Sequence, residues 1–130
     1  MNPYTVALAD DHVLIRNGLA GLINSFDNYK VLFQATNGLD LIDKLSQGTV
    51  PDIILLDINM PKMDGLQFLA AMKASEAWRG IPVVMITTEG GETKVGEAVK
   101  LGAAGYVRKP FTADQIKEKL AGILEPALPL

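Results

Sequence analysis

The 130-residue chain contains no cysteine and only one histidine, His12. Disulfide scaffolds and cysteine-based metal sites are excluded, and a reducing, cytoplasmic setting is the expectation. No apolar run approaches the roughly 18 consecutive positions that a membrane-spanning helix needs, so no membrane association is expected. The opening MNPYTVALADD has no basic segment followed by a long apolar one, which argues against a signal peptide. Basic charge is not in excess. Twelve Lys and Arg stand against fifteen Asp and Glu, a net charge of -3, so attraction to nucleic acid through charge alone is not expected. Internal repeats are absent as well. What the chain does have is apolar content, 48% against 21% charged, enough to bury a core in a single domain.

Five short apolar runs recur: Tyr4–Ala9, Val31–Ala35, Ile53–Leu56, Val83–Ile86 and Gly105–Val107. Runs such as IILL and VVMI do not alternate with polar residues, the pattern of strands buried on both faces of a parallel sheet. Helical signals lie between them. Across Val13–Asn24, Val13, Ile15, Leu19, Leu22 and Ile23 fall near one stripe. Asp40–Ser46 groups Leu41, Ile42 and Leu45 before Gly48, and Leu66–Lys73 follows the turn-and-cap pair Asp64-Gly65. Thr93–Leu101 is weaker, because Gly96 inside it costs about 1 kcal/mol relative to Ala. Thr112 and Gln115 form a capping-box pattern ahead of Ile116, Leu120 and Ile123. The order is βα repeated five times, an α/β fold built on an open doubly wound sheet. Residues 1–124 form the expected domain, and 125–130, EPALPL, a tail or the start of a linker.

The chemistry collects after the runs. The first ends in Asp10-Asp11, the third in Asp57, the fourth in Thr87-Thr88 and the fifth in Arg108-Lys109-Pro110. In such sheets the ligand crevice lies beyond the carboxyl ends of the strands, where the strand order reverses. For a five-stranded parallel sheet in order 2-1-3-4-5, that point lies between strands 1 and 3, the strands followed by carboxylates. The pattern predicts three acids, a hydroxyl and an ammonium converging in one cleft. Carboxylates held together repel unless a cation intervenes. Mg²⁺ suits one or two carboxylates with water and phosphate oxygens. A carboxylate can also act as a nucleophile and form an aspartyl phosphate, with Lys109 and the Thr87 hydroxyl meeting the phosphate oxygens.

In their order and placement, Asp10-Asp11, the DINMPKMDG stretch from Asp57 to Gly65, Thr87 and Lys109-Pro110 resemble a response-regulator receiver domain of two-component signalling, over roughly residues 4–124. The resemblance implies a flavodoxin-like fold and phosphorylation of Asp57 by a sensor histidine kinase, a phosphotransfer protein or a small phosphodonor. It implies Mg²⁺ held by Asp10, Asp11, Asp57 and the main-chain carbonyl of Asn59, with Asp11 the direct ligand of the pair and Asp10 acting partly through water. Thr87 would be the switch hydroxyl, Lys109 the phosphate partner and Tyr106 the aromatic switch, with a cis Lys109–Pro110 bond. The opening DDHVLIRNGL is similar to receivers of the NarL group, which carry DNA-binding domains. The closing GAAGYVRKPFTADQI is similar to the stand-alone chemotaxis receiver CheY, as are Asn59 and Glu89, which tune phosphoryl lifetime in that family. Ile58 and Thr88 depart from the chemotaxis pattern, and Thr88 is a further candidate for tuning the rate. The implied output is a change in partner binding at the face formed by Thr93–Leu101, Gly105–Arg108 and Thr112–Ile123, toward an unidentified output protein or a second copy of the chain. Such a receiver is a phosphoacceptor promoting its own phosphorylation and dephosphorylation, not a turnover enzyme, and this segment carries no DNA-reading module.

Other readings compete. A phosphohydrolase of related α/β fold needs a second acid two residues after its nucleophile, and Asn59 stands there. A flavodoxin-like cofactor binder needs a phosphate-cradling loop where Asp10-Asp11 stands. A receiver cut from a longer transcriptional regulator is a third. Around the site, His12 reads as a rim or cap residue lacking partners for a metal, Met60 and Met63 as gap-fillers, Trp78 as half-buried near a helix end, and Gly90-Gly91 as a loop or hinge.

Overall fold

The computed structural model describes residues 3–87 and 92–125. Five strands, β1 (Tyr4–Ala9), β2 (Tyr29–Ala35), β3 (Ile53–Asp57), β4 (Val83–Thr87) and β5 (Gly105–Arg108), alternate with five helices. These are α1 (Val13–Asn24), α2 (Gly38–Ser46), α3 (Gly65–Lys73), α4 (Glu92–Lys100) and α5 (Ala113–Leu124). The strands pair in parallel in the order β2-β1-β3-β4-β5, as expected from the doubly wound pattern. Among the described residues no helix is long and apolar enough to cross a membrane.

The sheet divides the core in two. Ala7, Ala9, Ile54, Leu56, Val83 and Met85 meet α2, α3 and α4 through Leu41, Leu45, Phe68, Leu69, Met72 and Ala98. The alternate residues Val6, Leu8, Ile53, Leu55, Val84 and Ile86 meet α1 and α5 through Leu19, Ile23, Ile116 and Leu120. Period-two alternation sends successive side chains to opposite faces, and both faces are covered. That is why the central strands β3 and β4 contain no polar residue until their last position.

Two sequence expectations shift. β2 begins at Tyr29, two residues before the apolar run, because Tyr29 is buried and stacks on Tyr4 at 5.8 Å between centroids. Val13, placed on the buried stripe of α1, is exposed, and the stripe is carried by Leu19, Ala20 and Ile23. Leu14 beside Val13 is exposed as well, so the buried stripe begins after the first two positions of α1. Trp78 is half-buried just after α3, and Met60 and Met63 pack into the first core layer. Both capping pairs form. Thr112 accepts from the Gln115 N–H while Gln115 accepts from the Thr112 N–H, and Asp64 and Gln67 do the same at α3.

Candidate functional site

Strand register brings the site residues together. Ala9 lies opposite Leu56, so Asp10 and Asp57 leave their strands at one level. Asp57 lies opposite Ile86, and Thr87 opposite Arg108. The Lys109 N–H donates to the Thr87 carbonyl at 2.7 Å, which holds the start of the β5–α5 connection against β4. The Lys109–Pro110 bond is cis.

Asp10, Asp57 and Thr87 are buried. The Lys109 ammonium donates to Asp10 Oδ2 at 3.0 Å and lies 3.7 Å from Asp57 Oδ1. Asp11 and Asn59 stand at the exposed mouth. Asp10, Asp11, Asp57 and His12 each bring one ligand atom into a group no wider than 4.8 Å. Asp57 Oδ2 is buried without a hydrogen-bond partner. An orphaned carboxylate oxygen beside two more carboxylates fits a hard divalent cation, and oxygen donors of this kind suit Mg²⁺.

Electrostatics separate the two buried acids. Burial pushes the Asp57 carboxyl up to about 6, and the Asp10 charge adds to the rise, against the pull of Lys109, the Asn59 N–H and His12. Burial acts on Asp10 in the same sense. There the His12 N–H, the Lys109 ammonium and the His12 ring outweigh it and hold the carboxyl below the usual range. Asp10 is thus the settled anion, and Asp57 the acid whose charge the site tolerates least.

The loop after Asp57 is built around close approach. A Cβ on Gly65 would lie 2.5 Å from the Asp57 carbonyl oxygen and 2.9 Å from the Ile58 Cα. The Gly65 N–H donates back to the Ile58 carbonyl at 2.9 Å, and Lys62 takes a left-handed φ of 65° in the same loop. The stretch from Asp57 to Gly65 therefore folds back on itself at the mouth, which fixes Asn59 beside Asp57.

Sequence reasoning missed three contributors. His12 has the partners it seemed to lack, since its Nδ1 lies within 3.8 Å of carboxylate oxygens of Asp10, Asp11 and Asp57. Arg16 donates to the Asp10 carbonyl at 2.7 Å and to the Gln34 side chain at 3.1 Å, bracing the β1–α1 loop. Lys94 on α4 donates to the Asn59 side chain at 2.7 Å. Arg16 and Lys94 carry no local signal, because their contacts reach other segments of the chain, whereas His12 directly follows the acid pair and only its approach to Asp57 crosses between strands. Tyr106 is 43% exposed, with the Lys119 ammonium 5.9 Å from its ring centre. Thr88, Glu89 and Gly90-Gly91 lie outside the described residues, as do residues 126–130 of the expected tail.

Residues 6–121 match the response regulator receiver domain family. The chain belongs to that family. The receiver is 36% identical over 111 residues to chemotaxis protein CheY1 of Helicobacter pylori, covering 85% of this chain and 86% of that one. It is 32% identical over 117 residues to the CheY homologue of Campylobacter jejuni, covering 90% and 89%. The solved structure of chemotaxis response regulator CheY4 of Vibrio cholerae superposes with a TM-score of 0.84 at 29% identity, covering 95% of this receiver and all of that chain (100%). The phosphohydrolase and cofactor-binder readings are not favoured. The side chain two positions after Asp57 is an amide held by Lys94, where a phosphohydrolase would need an acid.

Proposed function

We propose that this receiver is a phosphoacceptor switch in which Asp57 takes a phosphoryl group from a phosphohistidine of a sensor kinase or phosphotransfer protein, or from a small phosphodonor. The observation that carries the reading is the buried Asp57 carboxylate at the switch point of the sheet, with an orphaned oxygen, Asp10 beside it and the Lys109 ammonium 3.7 Å away. An Asp57 oxygen attacks phosphorus, the bond from phosphorus to the donor atom breaks (nitrogen in a phosphohistidine, the acetate oxygen in acetyl phosphate), and that atom keeps the electron pair. The product is an acyl phosphate on Asp57. Phosphoryl transfer depends mainly on positioning and charge neutralisation.

Asp10, Asp11, Asp57 and the Asn59 carbonyl would hold Mg²⁺, with Asp11 as direct ligand and Asp10 acting partly through water. When bound, the ion supplies positive charge to phosphoryl oxygens and offsets repulsion among the acids. The Lys109 ammonium binds a phosphoryl oxygen, and the Thr87 hydroxyl donates to another. Asn59, Thr88 and Glu89 tune how fast water removes the group, so the chain promotes both loading and unloading without turning over a separate substrate.

A hollow of about 510 Å³ lined by Ile15, Leu19, Pro110 and Phe111 also borders Lys109, and Leu14 on the same helix is 86% exposed. This apolar rim beside the acid pocket suits the docking of the phosphohistidine donor. Output follows from the outward Tyr106. Once Thr87 is drawn to the phosphoryl group, the ring turns inward and the α4–β5–α5 surface changes its affinity for an output protein or a second receiver. The cytoplasm is the expected setting, and residues 1–124 the switching unit.

Incubation with Mg²⁺ and acetyl phosphate should add one phosphoryl mass to the intact protein, and Asp57→Asn should abolish it. Beryllium fluoride should move amide resonances near Asp57 and across β5. An adduct that survives Asp57→Asn, or no adduct in the presence of Mg²⁺, would refute the reading.

A further inference from the structure

His12 occupies the helix N-cap position of α1, where a side chain usually accepts a backbone N–H, yet it makes no such bond. Its own N–H donates to Asp10 Oδ1 at 2.8 Å, which turns residue 12 back over residue 10. The ring then enters the acid cluster. Nδ1 lies 2.9 Å from Asp10 Oδ1, 3.5 Å from Asp11 Oδ1 and 3.8 Å from Asp57 Oδ2. One ring nitrogen faces three carboxylates contributed by the ends of two neighbouring strands. Lys109 engages the other oxygen of Asp10, so the two nitrogen groups address different oxygens of the same side chain.

A second observation points to a ligand at this spot. Asp57 is 2% exposed, and the oxygen that faces the imidazole is the one without a hydrogen-bond partner. The His12 side chain itself is 54% exposed. Its ring can therefore adjust at the mouth without disturbing the core, while its nitrogen stays among the acids. Carboxylates and carbonyls alone favour hard ions such as Mg²⁺, whereas an imidazole nitrogen added to the set favours borderline ions such as Co²⁺, Ni²⁺ and Zn²⁺.

We propose that His12 is a fourth side-chain donor of the pocket, making it a mixed oxygen and nitrogen site that selects borderline divalent transition ions over Mg²⁺. The inference rests on the metal pocket of the proposed function and goes beyond it in assigning the donor and the class of ion. The single histidine makes a direct test possible, because every imidazole resonance belongs to His12 and only Nδ1 and Nε2 have to be told apart.

In the ¹⁵N-labelled 130-residue chain, one equivalent of Zn²⁺ should shift the Nδ1 resonance strongly, and Mg²⁺ should not. Calorimetric titrations should show that His12→Ala weakens Co²⁺ binding by about tenfold or more while changing Mg²⁺ binding by less than about twofold. His12→Asn, which keeps a polar N-cap side chain, should behave the same way if loss of the imidazole is the cause. An unmoved Nδ1 signal would overturn the proposal, and so would a Co²⁺-to-Mg²⁺ affinity ratio unchanged by both variants. A Zn²⁺-induced shift that persists with equal affinity in Asp57→Asn would place the ion outside the pocket and overturn it too. If Mg²⁺ binds and only the ratio fails, the phosphoacceptor reading stands. If no divalent ion binds the wild-type chain, both fall.

Discussion

Lys109 and Asp10, ninety-nine positions apart, meet at 3.0 Å inside the protein, and the same ammonium lies 3.7 Å from Asp57. One largely buried cation thus serves two buried anions from two strands. Breaking a buried pair by removing one partner typically costs about 3–5 kcal/mol, because the remaining charge is left uncompensated. Lys109→Met should therefore destabilise the metal-free protein by about 3 kcal/mol. The loss should be larger at pH 8 than at pH 5, because the attraction to Asp57 counts only while Asp57 is ionised. Urea unfolding at the two pH values checks this, and an equal loss at both would contradict it.

Asp57→Asn should act in the opposite sense. The Asp57 carboxyl is raised from 3.8 to about 6 in the fold, so the native state holds this proton more tightly than the unfolded chain. Its contribution favours folding below pH 3.8 and is lost as the pH climbs through about 6. Above that, wild type carries a penalty of about 3 kcal/mol. In EDTA, Asp57→Asn should exceed wild type in stability by about that amount at pH 7.5 and by little at pH 4. A variant no more stable than wild type at pH 7.5 would mean that the ionised carboxylate is not held at a cost.

Mg²⁺ should reverse that ranking in part. A ligand present at a hundred times its dissociation constant stabilises the native state by about 2.7 kcal/mol. Wild type should gain several degrees in Tm on saturation with Mg²⁺, while Asp57→Asn and Asp11→Asn gain little. Differential scanning calorimetry with and without the ion reads the contrast, and an equal rise in all three proteins would place the ion elsewhere.

Two glycines should answer alanine in opposite ways. At Gly65 a Cβ would meet the Asp57 carbonyl oxygen at 2.5 Å, so the loop must give way. Gly65→Ala should lose about 1–3 kcal/mol and weaken Mg²⁺ binding, because Asp57 and Asn59 move with the loop. Gly21, inside α1, has nothing within 4 Å of its Cβ position. Gly21→Ala should gain about 0.5–1 kcal/mol through helix propensity and leave Mg²⁺ binding as it is. Chemical denaturation and Mg²⁺ titration of both variants separate the cases.

Most of the scaffold was legible because its signals are local. An unbroken apolar run such as IILL says that a strand is covered on both faces, and Thr112 with Gln115 states where α5 begins. Asp10, Asp57, Thr87 and Lys109 were legible for a related reason, since each closes an apolar run and strand ends converge in a parallel sheet. Tyr29 was not, because it joins β2 through stacking on Tyr4, a contact made only after β1 and β2 pair. Val13 misled, because helical periodicity gives the stripe and does not say at which position along it burial begins. Lys94 and Arg16 gave no warning, since their partners sit on other elements.

Composition and periodicity by themselves determined the alternating βα order, the sandwiching of the sheet between helices and the identity of the residues at its carboxyl edge. Those features follow from burial, which each stretch of chain expresses on its own. Only the tertiary structure decided which acid carries the strain of ionisation, which ammonium relieves it and where the imidazole of His12 points. Those depend on separations of 3 to 4 Å between side chains brought together by strand register, and electrostatic energy at such distances is set by geometry that no single segment contains.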